Sequence, residues 1–502
     1  MRSNRNFYIW LLSVATWVTL FYIAPDFWDN PIDHWYNVLP IIAYIGACSL
    51  GTFFLLYIVG CSRYVSAIVL PIIALTGATL IFYRVGYHAT LTPMLIDVTL
   101  HTNPEEAIGV ISWPLVIWII LNLGIAVVFI LWRWKRITLP HAWIHACIAL
   151  ALGAGYLSCH PRIRNGLSQR FPYIIPYNVH EYFTLQHSIQ EEREIPVYRA
   201  IDIPDSISIV LIIGEATRAD HLQLNGYARE TNPRLFERSN IVSYPHIYSE
   251  QTHTLVSLPY ILTRADSVND EYQYTETSFV SIFRQEEFKS AWISNQDLGS
   301  TFSPFLAECD TIAFANASKS VYVYSPWIDE ELIPIMLNWH SLKTPRTICI
   351  LHTIGSHWYY NNHVPDSMQY FQPVTGSRVV TANSVEYIIN SYDNTIRYMD
   401  FFVDSVISAY EEKNALIIYQ SDHGEALGED GEYLHANDAA GVHNPACIVW
   451  YSDKYAAANP EKIKALIANK DKRYRTDYLF YSILYAAGIE AEGDCETMNI
   501  FR

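Results

Sequence analysis

Five stretches of this chain are apolar over nearly the length that a membrane-spanning helix requires: Phe7–Ala24, Val38–Gly60, Tyr64–Tyr83, Ile111–Leu131 and Trp143–Cys159. A bilayer core takes about 20 apolar residues per helix, and the last stretch is the shortest match. The pattern divides the chain. Its 502 residues exceed what one compact core accommodates. The apolar content of 51% is concentrated in the front third, and the remainder has the composition of an ordinary globular domain. No small-residue cleavage site follows the first stretch, so it reads as a span rather than a removed leader. The Phe27-Trp28-Asp29-Asn30 run after it reads as an interfacial loop.

Orientation follows from the basic residues. Arg2, Arg5, Arg63, Arg133, Lys135 and Arg136 all fall on one side of five spans. The opposite loops, Pro25–Tyr36 and Arg84–Val110, carry Asp26, Asp29, Asp33, Asp97, Glu105 and Glu106 against Arg84 alone. The amino terminus is therefore expected in the cytoplasm, and everything after the fifth span outside. Residues 1–160 form the five-span membrane domain, 161–200 an interfacial linker, and 201–502 an outer catalytic domain. The linker mixes Arg162, Arg164 and Arg170 with Phe171, Tyr173, Tyr177, Tyr182 and Phe183, as suits a bilayer surface. A formal charge of -17 with no basic cluster argues against a nucleic-acid partner.

In the outer domain, Ser206–Ile213 and Ala415–Gln420 are short β-branched runs that read as buried parallel strands. Thr347–Leu351 is a third, and Asn383–Ala409 and Tyr478–Ala487 have helical patterning. Alternating strands and helices predict a doubly wound α/β fold. In such folds ligands gather at the carboxyl ends of the strands. The first strand runs into Glu215 and the second into Asp422-His423-Gly424. Carboxylates and imidazole together suit zinc or a similar dication, and Gly424 permits the sharp turn that brings Asp422 and His423 to one ion. Arg218 and Asp220 can pair to hold the loop after Glu215. In Glu250–Pro259, Thr254 reads from spacing alone as part of a helix cap. The alternative is a nucleophile at a helix amino terminus, where the dipole and a bound cation favour the alkoxide. Cys309, Cys349, Cys447 and Cys495 of this domain allow three disulfide pairings, or a buried free thiol at Cys349.

Four segments carry a resemblance. Gly214-Glu215-x-x-Arg218-x-Asp220-His221 with Asn225-Gly226-Tyr227 resembles the opening of the lipid A and lipooligosaccharide phosphoethanolamine transferases, members of the alkaline phosphatase and sulfatase superfamily. Thr252-x-Thr254-x-x-Ser257-x-Pro259 is similar to their nucleophile segment. His352-Thr353-Ile354-Gly355-Ser356-His357 resembles their His-x-x-Gly-Ser-His. Asp422-His423-Gly424-Glu425 through His435 is similar to their last metal motif.

The resemblance implies a five-helix membrane domain followed by a sulfatase-like α/β catalytic domain. It implies Zn2+ held by Glu215, Asp422, His423 and the oxygen of Thr254, with Thr254 the nucleophile. His357 and His435 would face the donor phosphate or a second zinc, and Thr102 and Glu106 would belong to a donor-site loop. The implied donor is phosphatidylethanolamine and the implied acceptor an anionic glycolipid, lipid A or core. The implied place is the bacterial inner membrane, with the catalytic domain in the periplasm. Three departures stand out: Val98 replaces an expected Asn, Glu250-Gln251 stand where the family often has Cys, and Trp358-Tyr359 follow His357 in place of Pro. The alternatives are a glycerol-phosphate transferase of the same superfamily and a non-catalytic glycolipid-binding membrane protein.

Overall fold

The computed structural model describes residues 2–28, 30, 38–87, 89–101, 112–158, 161–189, 192–296, 299, 301–317, 326–340 and 344–502. The described residues form two compact units, one up to Phe183 and one over Thr184–Ala317 and Pro326–Arg502.

Among the described residues of the first unit four helices are long and apolar enough to cross a membrane: Asn4–Phe27, Val38–Cys61, Arg63–Gly86 and Trp113–Arg136. The first outlasts the expected stretch because a π turn over Thr19–Ile23 and a tighter turn over Ala24–Phe27 carry it past Pro25. The fourth starts where Ser112 caps the amide of Leu115. The fifth expected stretch is the apolar helix Ala142–Ser158, only 17 residues long. At 1.5 Å per residue that is about 25 Å, short of a bilayer core of about 30 Å.

Asp26 and Arg84, assigned from sequence to loops on one side, meet in an ion pair at 2.8 Å. Arg170 joins the same carboxylate at 2.8 Å. This linker residue is therefore buried in a charge cluster rather than turned to a bilayer surface. The linker itself is helical over Pro161–Ser168 and Ile174–Ile189.

The second unit is built on a seven-stranded sheet. Its strands are β1 (Ile207–Gly214), β2 (Ile241–Tyr244), β3 (Lys289–Ser294), β4 (Thr311–Phe314), β5 (Arg346–His352), β6 (Ala415–Ser421) and β7 (Cys447–Tyr451). Their order is β2-β7-β6-β1-β5-β3-β4. The five from β6 to β4 are parallel, and β7 is antiparallel to both its neighbours. β1 is buried on both faces, which is why it is continuously apolar from Ile209 to Ile213. Ile209, Leu211 and Ile213 enter one core with residues of helices Thr254–Leu262, Phe279–Gln285 and Tyr478–Ala486. Val210 and Ile212 enter the other, with the apolar stripe of the long helix Val385–Tyr410. The doubly wound expectation holds.

Candidate metal centre

Strand register alone brings the first two ligand candidates together. β1 and β6 are hydrogen-bonded neighbours with Gly214 opposite Ser421. The next residues, Glu215 and Asp422, must then emerge side by side, and the amide of Asp422 donates to the carbonyl of Gly214 at 3.1 Å. His423 Nε2 lies 3.4 Å from Glu215 Oε1 and 3.3 Å from Asp422 Oδ2. Those three atoms are buried and have no hydrogen-bond partner.

All the other polar atoms of the three side chains are occupied. Asp422 Oδ1 accepts from the amides of Ala216 (3.1 Å) and His423 (2.8 Å). His423 Nδ1 donates to the carbonyl of Gly424 at 2.8 Å, which leaves the lone pair on Nε2. Glu215 Oε2 accepts from Thr254 Oγ1 at 2.8 Å and from Gln296 Nε2 at 2.9 Å. Burial, reinforced by Asp422, pushes the Glu215 carboxyl well above the ordinary range. Two buried carboxylates with idle oxygens facing an idle imidazole lone pair are unfavourable without a cation. Ligands about 2.0–2.1 Å from a tetrahedral zinc are separated by about 3.3 Å, which matches the observed gaps. The residues fit a zinc-sized dication. One atom from each of Glu215, His423 and His435 also lies within 4.8 Å of the others.

Two glycines allow this convergence by close approach. A Cβ on Gly424 would lie 2.0 Å from the carbonyl oxygen of Gly441. Close packing, rather than a left-handed turn, is what reserves this position for glycine. Gly355 has φ +47° and sits against the backbone of Glu215, where a Cβ would come within 2.9 Å of its N and O.

Thr254 opens the helix Thr254–Leu262, but His253 occupies the cap position and no side chain caps the helix. The helix-cap reading of its hydroxyl fails, because that hydroxyl points to Glu215 instead. Arg218 and Asp220 pair as expected, at 2.7 Å.

The imidazoles form a row, with ring centres 4.8 Å apart for His423 and His435 and 5.8 Å for His435 and His357. His357 Nδ1 donates to the carbonyl of Trp358 at 2.5 Å. Burial, helped by the charge on His435, pulls its pKa down to about 3, so it is neutral. Burial also works against a charge on His435, but Glu425, 3.1 Å from its Nδ1, outweighs this and pushes it up to about 9. Tyr360 donates to the other oxygen of Glu425 at 2.9 Å. His352, from the same motif as His357, is not part of the row; it packs edge-on to Trp292 and Phe302. Thr102 and Glu106 lie outside the described residues.

Sequence reasoning missed Gln296 and Tyr360 and gave Glu425 no role. Gln296 stands just past the carboxyl end of β3, a strand that the sequence reading did not identify.

The sulfatase family model matches residues 208–489, more than half of the chain. A second model, described as phosphoethanolamine transferase EptA/EptB, matches residues 49–158. Phosphoethanolamine transferase EptA of Escherichia coli (strain K12) is 29% identical over 300 residues, 56% of this chain and 53% of that protein. The chain thus spans about half the length of that relative. The C-terminal periplasmic domain of EptC from Escherichia coli, solved in complex with Zn, is similar with a TM-score of 0.56 and 22% identity, over 62% of this chain and 90% of that one. The integral membrane protein lipooligosaccharide phosphoethanolamine transferase A from Neisseria meningitidis is similar over 91% of both chains, with a TM-score of 0.54 and 21% identity. The last two likenesses speak for the fold. The sulfatase model covers more than half of the chain, and the chain therefore belongs to the sulfatase family, with an amino-terminal segment that matches the EptA/EptB model.

Proposed function

We propose that the chain is a zinc-dependent transferase that moves phosphoethanolamine from phosphatidylethanolamine to an anionic glycolipid of the lipopolysaccharide type, lipid A or core. Residues 1–160 anchor it in a bacterial inner membrane through five spans with a cytoplasmic amino terminus. Residues 161–200 lie at the bilayer surface, and residues 201–502 work in the periplasm. The observation that carries this reading is the hydroxyl of Thr254, which donates to Glu215 beside three idle metal-type atoms.

In this reading Glu215, Asp422, His423 and the oxygen of Thr254 hold the ion. A bound zinc supplies charge that favours the alkoxide and draws electrons from a phosphoryl oxygen. Thr254 Oγ1 attacks phosphorus in line; the Oγ1–P bond forms and the bond from phosphorus to the diacylglycerol oxygen breaks. Glu215 Oε2 already accepts the hydrogen bond of that hydroxyl and is the first acceptor for its proton, which passes on to the departing diacylglycerol oxygen. His357 and His435 bind the donor phosphate, with Thr102 and Glu106 on the donor side. A glycolipid phosphate or hydroxyl oxygen then attacks the phosphothreonine, and Thr254 departs with its proton restored. The added amine lowers the negative charge of the membrane surface.

The test is the intact mass of the full chain after incubation with phosphatidylethanolamine vesicles and zinc, beside Thr254→Ala. A phosphoethanolamine adduct is expected on the wild type and absent from the variant. A glycerol-phosphate adduct from phosphatidylglycerol vesicles, with none from phosphatidylethanolamine, would overturn the donor assignment.

A further inference from the structure

Asp329 belongs to no motif, yet it is buried between two of the loops that reach the metal centre. Its Oδ1 accepts from the amide of Ile354 (2.8 Å) and from Asn295 Nδ2 (2.9 Å). Its Oδ2 accepts from the amide of Gly355 at 3.0 Å. Asn295 follows β3 and Ile354 follows β5, so one carboxylate ties two strand ends together. Each tie is one residue from a contact with Glu215. Gln296, next to Asn295, donates to Glu215 Oε2, and the amide of Ser356, next to Gly355, donates to the carbonyl of Glu215 at 2.9 Å. Asn295 is in turn fixed by Trp327 Nε1 (2.8 Å) and Asn316 Nδ2 (2.6 Å), both donating to its Oδ1.

We infer that Asp329 is a positioning residue: by clamping the loops after β3 and β5 it sets the orientation of Glu215, both backbone and carboxylate. The clamp needs an acceptor at both oxygens, because two of its three donors are main-chain amides that cannot turn away. Burial pushes the carboxyl up to about 6, against the pull of Asn295 and the two amides, which leaves it ionised at neutral pH. An amide side chain of the same size would set an N–H against an N–H at one of the two sites.

This inference rests on the proposed role of Glu215 as a metal ligand, and its test does not require transferase activity. Full-length Asp329→Asn is compared with wild type by zinc affinity in chelator competition and by hydrogen exchange of peptides covering residues 353–357. Turnover on phosphatidylethanolamine vesicles is measured alongside. We expect zinc binding weakened by about tenfold, in line with losses from outer-shell substitutions. Exchange at Ile354 and Gly355 should quicken, and kcat should fall with KM nearly constant. Unchanged zinc affinity in a folded variant would overturn the inference, as would activity lost only in proportion to misfolded protein. If Asp329→Asn does not fold, Asn295→Ser breaks the tie to β3, along with the contacts from Trp327 and Asn316, leaves both main-chain amide ties in place, and should weaken zinc in the same direction. If the wild type binds zinc but transfers nothing, the proposed function fails while zinc affinity and exchange still decide the clamp.

Discussion

Glu215 divides its work between its two oxygens. Oε1 is idle and faces His423, while Oε2 is held by Thr254 and Gln296. Glu215→Gln keeps the volume but gives up the charge and places an N–H group among these partners. We expect zinc affinity to fall by more than about 100-fold, read by metal content after dialysis, since a first ligand is lost rather than an outer-shell partner. Gln296→Leu removes only the orienting donor. Its expected cost is about 10- to 100-fold in zinc affinity or turnover, with wild-type helix content by circular dichroism. Equal zinc affinity in the two proteins would mean that Thr254 alone orients the carboxylate.

At the scale of elements, the sheet positions the site and the glycines allow it to close. Gly424→Ala sets a methyl group against a backbone carbonyl, not against the end of a flexible side chain. The loop bearing Asp422 and His423 must then shift, and we expect loss of both zinc binding and adduct formation. A second device lies away from the site. Helix Pro233–Glu237 has no side-chain cap of its own. Asp400 of the long helix instead accepts from the amides of Arg234 and Leu235, both at 3.0 Å.

Burial pushes the Asp400 carboxyl up to about 6 from an ordinary 3.8, against the pull of those amides. The native chain then holds a proton that the unfolded chain has released. The stability this gives is full below the ordinary value and is lost as pH rises through about 6. Compared with Asp400→Asn, which has no charge to form, wild type should lose ground in thermal midpoint between pH 4 and pH 7, a range set by that shift. A constant gap across that range would contradict the assignment.

How much of this was legible in the sequence depended on burial. β1, β5 and β6 could be read because central strands covered on both faces are written as unbroken apolar runs. β3 could not, because its apolar stretch is only Ala291-Trp292-Ile293, set between Ser290 and Ser294, and the partner that satisfies Ser290 is Asp310, 20 residues away in the loop before β4. The candidate ligands Glu215, Asp422 and His423 were legible because each follows a readable strand. Gln296 and Asp329 matter only through distances across the fold, and nothing beside them in the chain announces that.

For the whole molecule, the proposed topology predicts that reporters fused after residue 200 are active outside the cytoplasm and that reporters fused at the amino terminus are not. Activity on one side at both positions would leave an even number of crossings and remove the 17-residue helix Ala142–Ser158 from the count. Stripping the metal should lower the thermal midpoint of the second unit, because Glu215 and Asp422 are left to repel each other. Zinc at 100 times its dissociation constant is worth about 2.7 kcal/mol, and adding it back should restore the midpoint.

The four sulfurs of the second unit are all free. Cys309, Cys349 and Cys447 are buried, and burial pushes each thiol up, so little thiolate survives once the chain has folded. No covalent loop among these four sulfurs restrains the unfolded chain, so packing and the proposed metal must hold the unit together without one. If the unit folds in an oxidising compartment, as the proposed topology has it, it faces a race: three sulfurs must disappear into the core before they find one another. Of these four, Cys495 alone stays within reach of an oxidant after the race is won.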